Sequence, residues 1–195
     1  MFNSHHFDSV TVQEAFKKGG FDTKLSFLIM GFSNLYHKQF IKGLLFLLSE
    51  ILFLIAFVTQ VIPSINGLIT LGTNAQGLVE KDVGGIKMKV AMEGDNSMLL
   101  LIFGLASLIF CLFFVYIYWC NLTSARNLYV LDKEHLKIPS FKEDFETLAN
   151  GRFHMTLMAI PLLGVLLFTV LPLIYMICLA FTNYDHNHLP PKSLF

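Results

Sequence analysis

The stretch MLLLIFGLASLIFCLFFVYIYW, Met98 to Trp119, contains neither a charged residue nor a proline. A helix rises about 1.5 Å per residue and the hydrocarbon core of a bilayer is about 30 Å thick, so this run is long enough to cross a membrane. Two further stretches read the same way: Leu44 to Ile62, with the single carboxylate Glu50, and Met155 to Phe181, with no charge. Each is roughly 19 to 27 residues long, the length a spanning helix needs. Lipid offers the backbone no hydrogen-bond partner, so each segment must satisfy its own amides as a helix.

Composition agrees. Of the 195 residues 54% are hydrophobic and only 14% charged, with a mean hydropathy of +0.61, against roughly 25% charged in a soluble domain. Lys plus Arg and Asp plus Glu both number 14; with no basic excess to neutralise phosphates, nucleic-acid binding is excluded. Cys111, Cys120 and Cys178 lie in or beside apolar runs without CxxC spacing, which argues against a disulfide framework or a zinc site.

The fold expected is an all-α polytopic membrane protein with three transmembrane helices, amphipathic cytoplasmic helices and a small irregular extracellular loop. Its segments are a lead and amphipathic helix over 1–43, spans over 44–62, 98–120 and 155–181, an outer loop over 63–97, an inner loop over 121–154 and an outer segment over 182–195. Lys17, Lys18, Lys24, Lys38 and Lys42 precede the first span, and Arg126, Lys133, Lys137, Lys142 and Arg152 lie between the second and third. Only Lys81, Lys87, Lys89 and Lys192 fall on the other side. Basic residues concentrate in cytoplasmic loops, so the N-terminus is expected inside a bacterial cell membrane. No short apolar core with a cleavage site precedes Leu44, so the first span is expected to act as its own insertion signal.

Residues 1–22, with Lys17-Lys-Gly-Gly20, read as a flexible lead. From Thr23, Leu25, Leu28, Ile29, Phe32, Leu35 and Tyr36 recur at helical spacing, which predicts an amphipathic helix on the cytoplasmic surface. Gly43 marks either a bend into the first span or a point within one long helix. In the outer loop Ile86, Met88, Val90 and Met92 alternate with other residues, predicting a strand or hairpin arm; Asp95, Asn96 and Ser97 offer caps for the second span. In the inner loop Ser140 to Glu143 has capping-box spacing, with Phe141, Phe145 and Leu148 on one face and Gly151 at the end, which predicts a short amphipathic helix.

Candidate chemistry is sparse. Glu50 is the ionisable side chain inside a span, and burying its charge is costly, so it is either a structural hydrogen-bonding group or a participant in transport; no relay partner stands in the other spans. Pro161 and Pro172 each remove a backbone donor and are expected to kink the third span. Asp185, His186 and His188 lack further ligands and read as a solvated turn rather than a metal site. His5, His6 and His154 have no neighbouring nucleophile, and Asn121-Leu-Thr123, although a glycosylation pattern, falls on the predicted inner side. No Walker lysine loop, HExxH or GxSxG occurs, so no catalytic, cofactor or metal residue is assigned and an enzyme is not expected.

In the third span the sequence resembles a known family. Ile160-Pro-Leu-Leu-Gly164, Leu171-Pro-Leu-Ile-Tyr175, Ala180-Phe-Thr-Asn-Tyr-Asp185 and His188-Leu-Pro-Pro191 are similar to the corresponding span and outer turn of the maltose/maltodextrin-type permease subunit of sugar ABC importers. Met30-Gly31, Lys38-Gln39, Lys42-Gly43, Thr70-Leu-Gly-Thr73 and Gly94-Asp-Asn-Ser97 resemble the Gram-positive members. The resemblance makes Phe181, Thr182, Asn183 and Tyr184 family-motif residues. It implies a second permease subunit, an ATP-binding cassette ATPase dimer and an extracellular sugar-binding protein as partners, beside membrane lipids. ATP hydrolysis would belong to the partner subunits, and no sugar-contacting residue is assigned. Family members continue through further helices and a Glu-Ala-Ala loop that docks on the ATPase; that motif is not in this sequence, so an N-terminal fragment is expected. The alternative is a self-contained three-helix scaffold or interaction protein.

Overall fold

The computed structural model describes residues 10–74, 77–84, 86–92, 94–146 and 153–183. Three of its helices are long and apolar enough to cross a membrane: Phe40–Thr70, Ser97–Lys133 and Leu157–Ala180. The protein is an all-α polytopic membrane protein. Its contacts gather into two units, residues 1–55 with 111–160 and residues 56–110 with 161–195, each taken by itself below.

The first unit opens with three short helices, α1 (Val12–Lys18), α2 (Phe21–Leu25) and α3 (Phe32–Tyr36). The lead is thus helical over Val12–Lys18. Thr11 and Glu14 form a reciprocal capping box, in which the Glu14 N–H donates to Thr11 Oγ1 (3.2 Å) and the Thr11 N–H donates to Glu14 Oε2 (3.2 Å). The Thr11-x-x-Glu14 spacing was legible and outweighs the two glycines that follow. The predicted single amphipathic helix from Thr23 to Tyr36 is also corrected: it is α2, a run of turns, and α3. The break falls at Gly31, whose φ of +81° lies in the left-handed region. A Cβ there would collide with the backbone of Gly43, one turn into helix α4 (Phe40–Ala56). Gly43 therefore marks a close approach between two backbones within a continuous helix rather than a bend.

Helix α4 passes through a π-helical turn, Phe57–Val61, into α5 (Ile62–Thr70), so the helix continues where the sequence reading began a loop at Pro63. Proline lacks an N–H and its ring crowds the carbonyl four residues back; the wider π turn immediately before Pro63 accommodates both. The third span repeats the device. Helix α8 (Phe153–Val165) carries Pro161 inside it, and the π turn Leu166–Val170 leads into α9 (Leu171–Ala180) with Pro172 at its start.

In the second unit the segment between the first two spans forms an antiparallel hairpin, β1 (Gly77–Val83) with β2 (Ile86–Met92), in the register Val79↔Val90 and Glu80↔Lys89. This sharpens the expected hairpin arm. Helix α6 (Ser97–Lys133) follows, and Asn96 caps it by accepting from the Leu99 N–H (3.2 Å). Asp95 closes the loop, accepting from the N–H groups of Thr73 (2.9 Å) and Asn74 (3.0 Å), which hold its carboxyl below the ordinary aspartate range. Gly67 of α5 packs against Leu100, and Gly104 of α6 against Leu68, small residues letting two helices approach closely. Val61, Leu101 and Leu105 are buried nearby.

Candidate functional site

The part of the molecule richest in specific polar contacts lies where α4 begins and α6 leaves its apolar stretch. The segment from Thr23 to Asn34 is inverted relative to a soluble amphipathic helix. Its polar side chains Thr23, Ser26, Ser33 and Asn34 are buried, while Phe21 (77%), Leu28 (74%) and Tyr36 (69%) are exposed. Of the apolar stripe, Leu28, Ile29 and Tyr36 are exposed, whereas Leu25, Phe32 and Leu35 are half-buried and Leu35 lies against Gly43. In a membrane this is the stable arrangement, because the apolar face has lipid to meet and the polar face must find protein partners.

Those partners stand on α6. Asn121 is fully buried: its Oδ1 accepts from the Gly31 N–H (2.8 Å) and from Ser26 Oγ (3.4 Å), and its Nδ2 donates to the Ser26 carbonyl (2.9 Å). One amide thereby satisfies backbone groups that the chain break at Gly31 leaves outside any helix. One turn further along, Ser124 accepts from Asn34 Nδ2 (2.9 Å), which also donates to Gln39 Oε1 (2.7 Å). One turn earlier, the Tyr118 hydroxyl donates to the Phe27 carbonyl (2.8 Å). Tyr118, Asn121 and Ser124 recur every three residues, so one face of α6 reads the whole segment.

Glu50 belongs to the same arrangement from the α4 side, its Oε2 accepting from the Met30 N–H at 2.9 Å. Met30 itself is completely buried. Asp22 faces inward too, accepting from Ser33 Oγ (3.2 Å) and Thr23 Oγ1 (3.4 Å), with His37 Nδ1 3.7 Å away. The inner loop is tied on by Gln39 Nε2 donating to the Pro139 carbonyl (2.6 Å) and by the Lys42–Asp144 ion pair at 2.9 Å. Helix α7 (Phe141–Glu146) starts with the predicted capping box, in which the Ser140 N–H donates to Glu143 Oε2 (2.9 Å). The Lys137 ammonium and that N–H hold the Glu143 carboxyl below the ordinary glutamate range.

Asn121, Asn34, Ser124 and Gly31 were not singled out as site residues. The available signal was polar residues at three-residue spacing where an apolar helix ends; Asn121 was instead weighed only as a glycosylation pattern, and its buried, fully engaged amide is inaccessible to that chemistry. The cysteines are free and half-buried. Among the described residues no group of three or more His, Cys, Asp or Glu side chains is placed to hold a metal.

The arrangement is a set of hydrogen bonds that ties the segment from Asp22 to Asn34 to helices α4 and α6. Comparison with known proteins finds relatives over most of the chain. The maltodextrin transport system permease protein MalC of Streptococcus pneumoniae is 30% identical over 168 residues, 86% of this chain and 35% of its own length. The chain is a homologue of oligosaccharide transport-system permeases. The galactooligosaccharides transport system permease protein GanP of Bacillus subtilis is likewise 30% identical over 168 residues, 36% of its length. The maltodextrin transport system permease protein MdxF of Bacillus subtilis is 28% identical over 193 residues, 98% of this chain and 39% of that protein. The chain therefore spans little more than a third of the length of the permeases it matches. No family model and no solved structure matches it.

The motif residues of the permease resemblance lie at the end of α9. Phe181 is exposed, its N–H bonded to the Cys178 carbonyl (3.0 Å), and Thr182 closes the helix by donating its hydroxyl to the Leu179 carbonyl (2.7 Å). Asn183 follows. Tyr184, Asp185, His186, His188, His5 and His6 lie outside the described residues, and His154 falls on α8.

Proposed function

We propose that this chain supplies the N-terminal part of the membrane-spanning permease subunit of an ATP-driven importer for maltodextrin-like sugars, contributing helices to the translocation pathway. The similarity to MalC, GanP and MdxF over most of the chain carries this reading. The permease would pair with a second permease subunit, sit over an ATPase dimer and receive sugar from an extracellular binding protein. The chain itself would do no chemistry. Alternating access would shift its helices between inward and outward arrangements as the ATPases bind and hydrolyse nucleotide.

Within that scheme the polar cluster is a static anchor: Glu50 serves as a hydrogen-bond acceptor for Met30 rather than as a proton carrier, with the N-terminus and the α7 loop cytoplasmic. The third span has a different role. No residue from Leu157 to Ala180 is buried, and its two prolines and π turn favour adaptable backbone; it would join the translocating bundle beside partner helices, while the first two spans stay peripheral. The test is reconstitution of the full transport system in liposomes. Co-purification with the ATPase and sugar-stimulated ATP hydrolysis are expected, and absence of both overturns the proposal.

A further inference from the structure

The inverted segment at the N-terminus has an outward face that nothing in the transport reading uses. Phe16, Phe21 and Leu28 are exposed, as are Phe40, Ile41, Leu44 and Leu45 at the start of the spanning helix that begins with α4. Between α1 and the turn after α2 lies a shallow recess of about 210 Å³ lined by Val12, Gln13, Phe16, Lys17 and Phe27, apolar apart from its rim. The charges are sorted by sign. Asp22 is turned inward to Ser33, Thr23 and His37, and Glu14 is engaged by the Thr11 N–H and by Lys18 at 3.7 Å. Lys17 and Lys24 are exposed beside the apolar groups. Exposed apolar side chains just ahead of a spanning helix, beside cations whose acidic neighbours are engaged elsewhere, are complementary to the boundary layer of an anionic membrane.

We infer that the outer face of residues 12–40 is a docking surface for anionic phospholipid, with Phe16, Phe21 and Leu28 among the upper acyl carbons and Lys17 and Lys24 on headgroup phosphates. The lipid holds this segment from outside while Asn121 and Glu50 hold its residues Ser26, Met30 and Gly31 from inside. Burying polar side chains inward and apolar ones outward is favourable where the outside is an apolar medium, and the flanking cations select an anionic lipid as that medium. A basic side chain near an anionic surface strengthens attachment about fivefold.

The inference rests on the membrane fold and not on the identity of the transported solute, so it is tested without transport. The one native tryptophan, Trp119, is replaced by Phe and a reporter is placed by Phe21→Trp. The chain is then reconstituted in nanodiscs of brominated or plain phosphatidylglycerol or phosphatidylcholine, and retained lipid is counted by native mass spectrometry. Blue-shifted emission quenched by brominated chains is expected, with phosphatidylglycerol retained several-fold over phosphatidylcholine. K17Q/K24Q should bring that ratio close to one, while K17R/K24R keeps it, and unchanged helical circular dichroism shows that both variants fold. Emission that brominated chains do not quench overturns the inference: red-shifted, it would mean that water covers this face, and blue-shifted, that protein does. A lipid ratio of one in the parent, or a ratio that K17Q/K24Q leaves unaltered, overturns it as well.

Discussion

The amide of Asn121 joins a helix to a chain break through three hydrogen bonds. It bonds Gly31 and Ser26 simultaneously from full burial, so Asn121→Ala leaves an N–H and a carbonyl without partners where water cannot replace them. The expected cost is about 2 kcal/mol, the usual range for a stranded buried polar group, seen as a lowered thermal midpoint in detergent. Gly31→Ala should be worse, since it meets both a positive φ and the Gly43 backbone. Glu50 separates two roles cleanly. It accepts one bond, from the Met30 N–H, and a glutamine carbonyl can accept the same bond, so Glu50→Gln should retain stability and sugar uptake while Glu50→Ala loses about 1–2 kcal/mol. Uptake abolished in a stably folded Glu50→Gln protein would assign the carboxylate a proton-linked role instead. None of these partnerships was legible beforehand: hydropathy reports which residues avoid water, but not that an asparagine 90 residues away in sequence would complete a broken helix.

At the scale of elements, the outer loop and the inner loop are each fastened by one carboxylate, and the two should respond differently to solution conditions. Asp95 is favoured as the anion by the Thr73 and Asn74 N–H groups. A group whose folded pKa is depressed contributes stability at pH above its unfolded value and loses it as the pH falls through the folded one. The clamp is therefore expected intact at neutral pH and released only below the ordinary aspartate range, with Asp95→Asn mimicking the acid form by speeding amide exchange at Thr73 and Asn74. The Lys42–Asp144 pair is about 30% exposed on both sides, so a double-mutant cycle should return a coupling of about 1 kcal/mol or less that shrinks with added salt. Elements were legible wherever a local rule governed them: the apolar runs gave the helices, and Ser140 with Glu143 gave the start of α7. Where two rules competed, the non-local one prevailed. Pro63 signals a helix end, yet the π turn Phe57–Val61 carries the helix past it to Thr70. The apolar stripe from Leu25 to Tyr36 signals a soluble-style amphipathic helix, yet Leu28, Ile29 and Tyr36 of that stripe are exposed, Leu35 lies against Gly43, and the helix breaks at Gly31.

For the whole molecule the open quantity is orientation, and the charge distribution sets it. Ten of the fourteen Lys and Arg residues lie before the first span or between the second and third, and the remaining four lie in the segment with the hairpin or in the tail. Translocating a basic loop against the membrane potential is costly, so the segment holding β1 and β2 should cross while α1 to α3 and α7 stay inside. The hairpin's own lysines, Lys81, Lys87 and Lys89, are fewer than the five basic residues in each of the two segments on the other side, so the balance still favours this orientation. A reporter fused at Gly84 should accordingly be active only when it requires the outer compartment, and one fused near Lys137 only when it requires the cytoplasm. The margin can be moved deliberately. Replacing Lys17, Lys18, Lys24, Lys38 and Lys42 with Gln halves the inner count while leaving every apolar span intact, and should yield a mixed population in the Gly84 assay, whereas the same number of Asp or Glu changes should do little because the rule counts basic residues and not net charge. An unmixed outer signal after loss of all five lysines would mean that the buried cluster around Asn121, rather than charge, fixes which end of the first two helices remains inside.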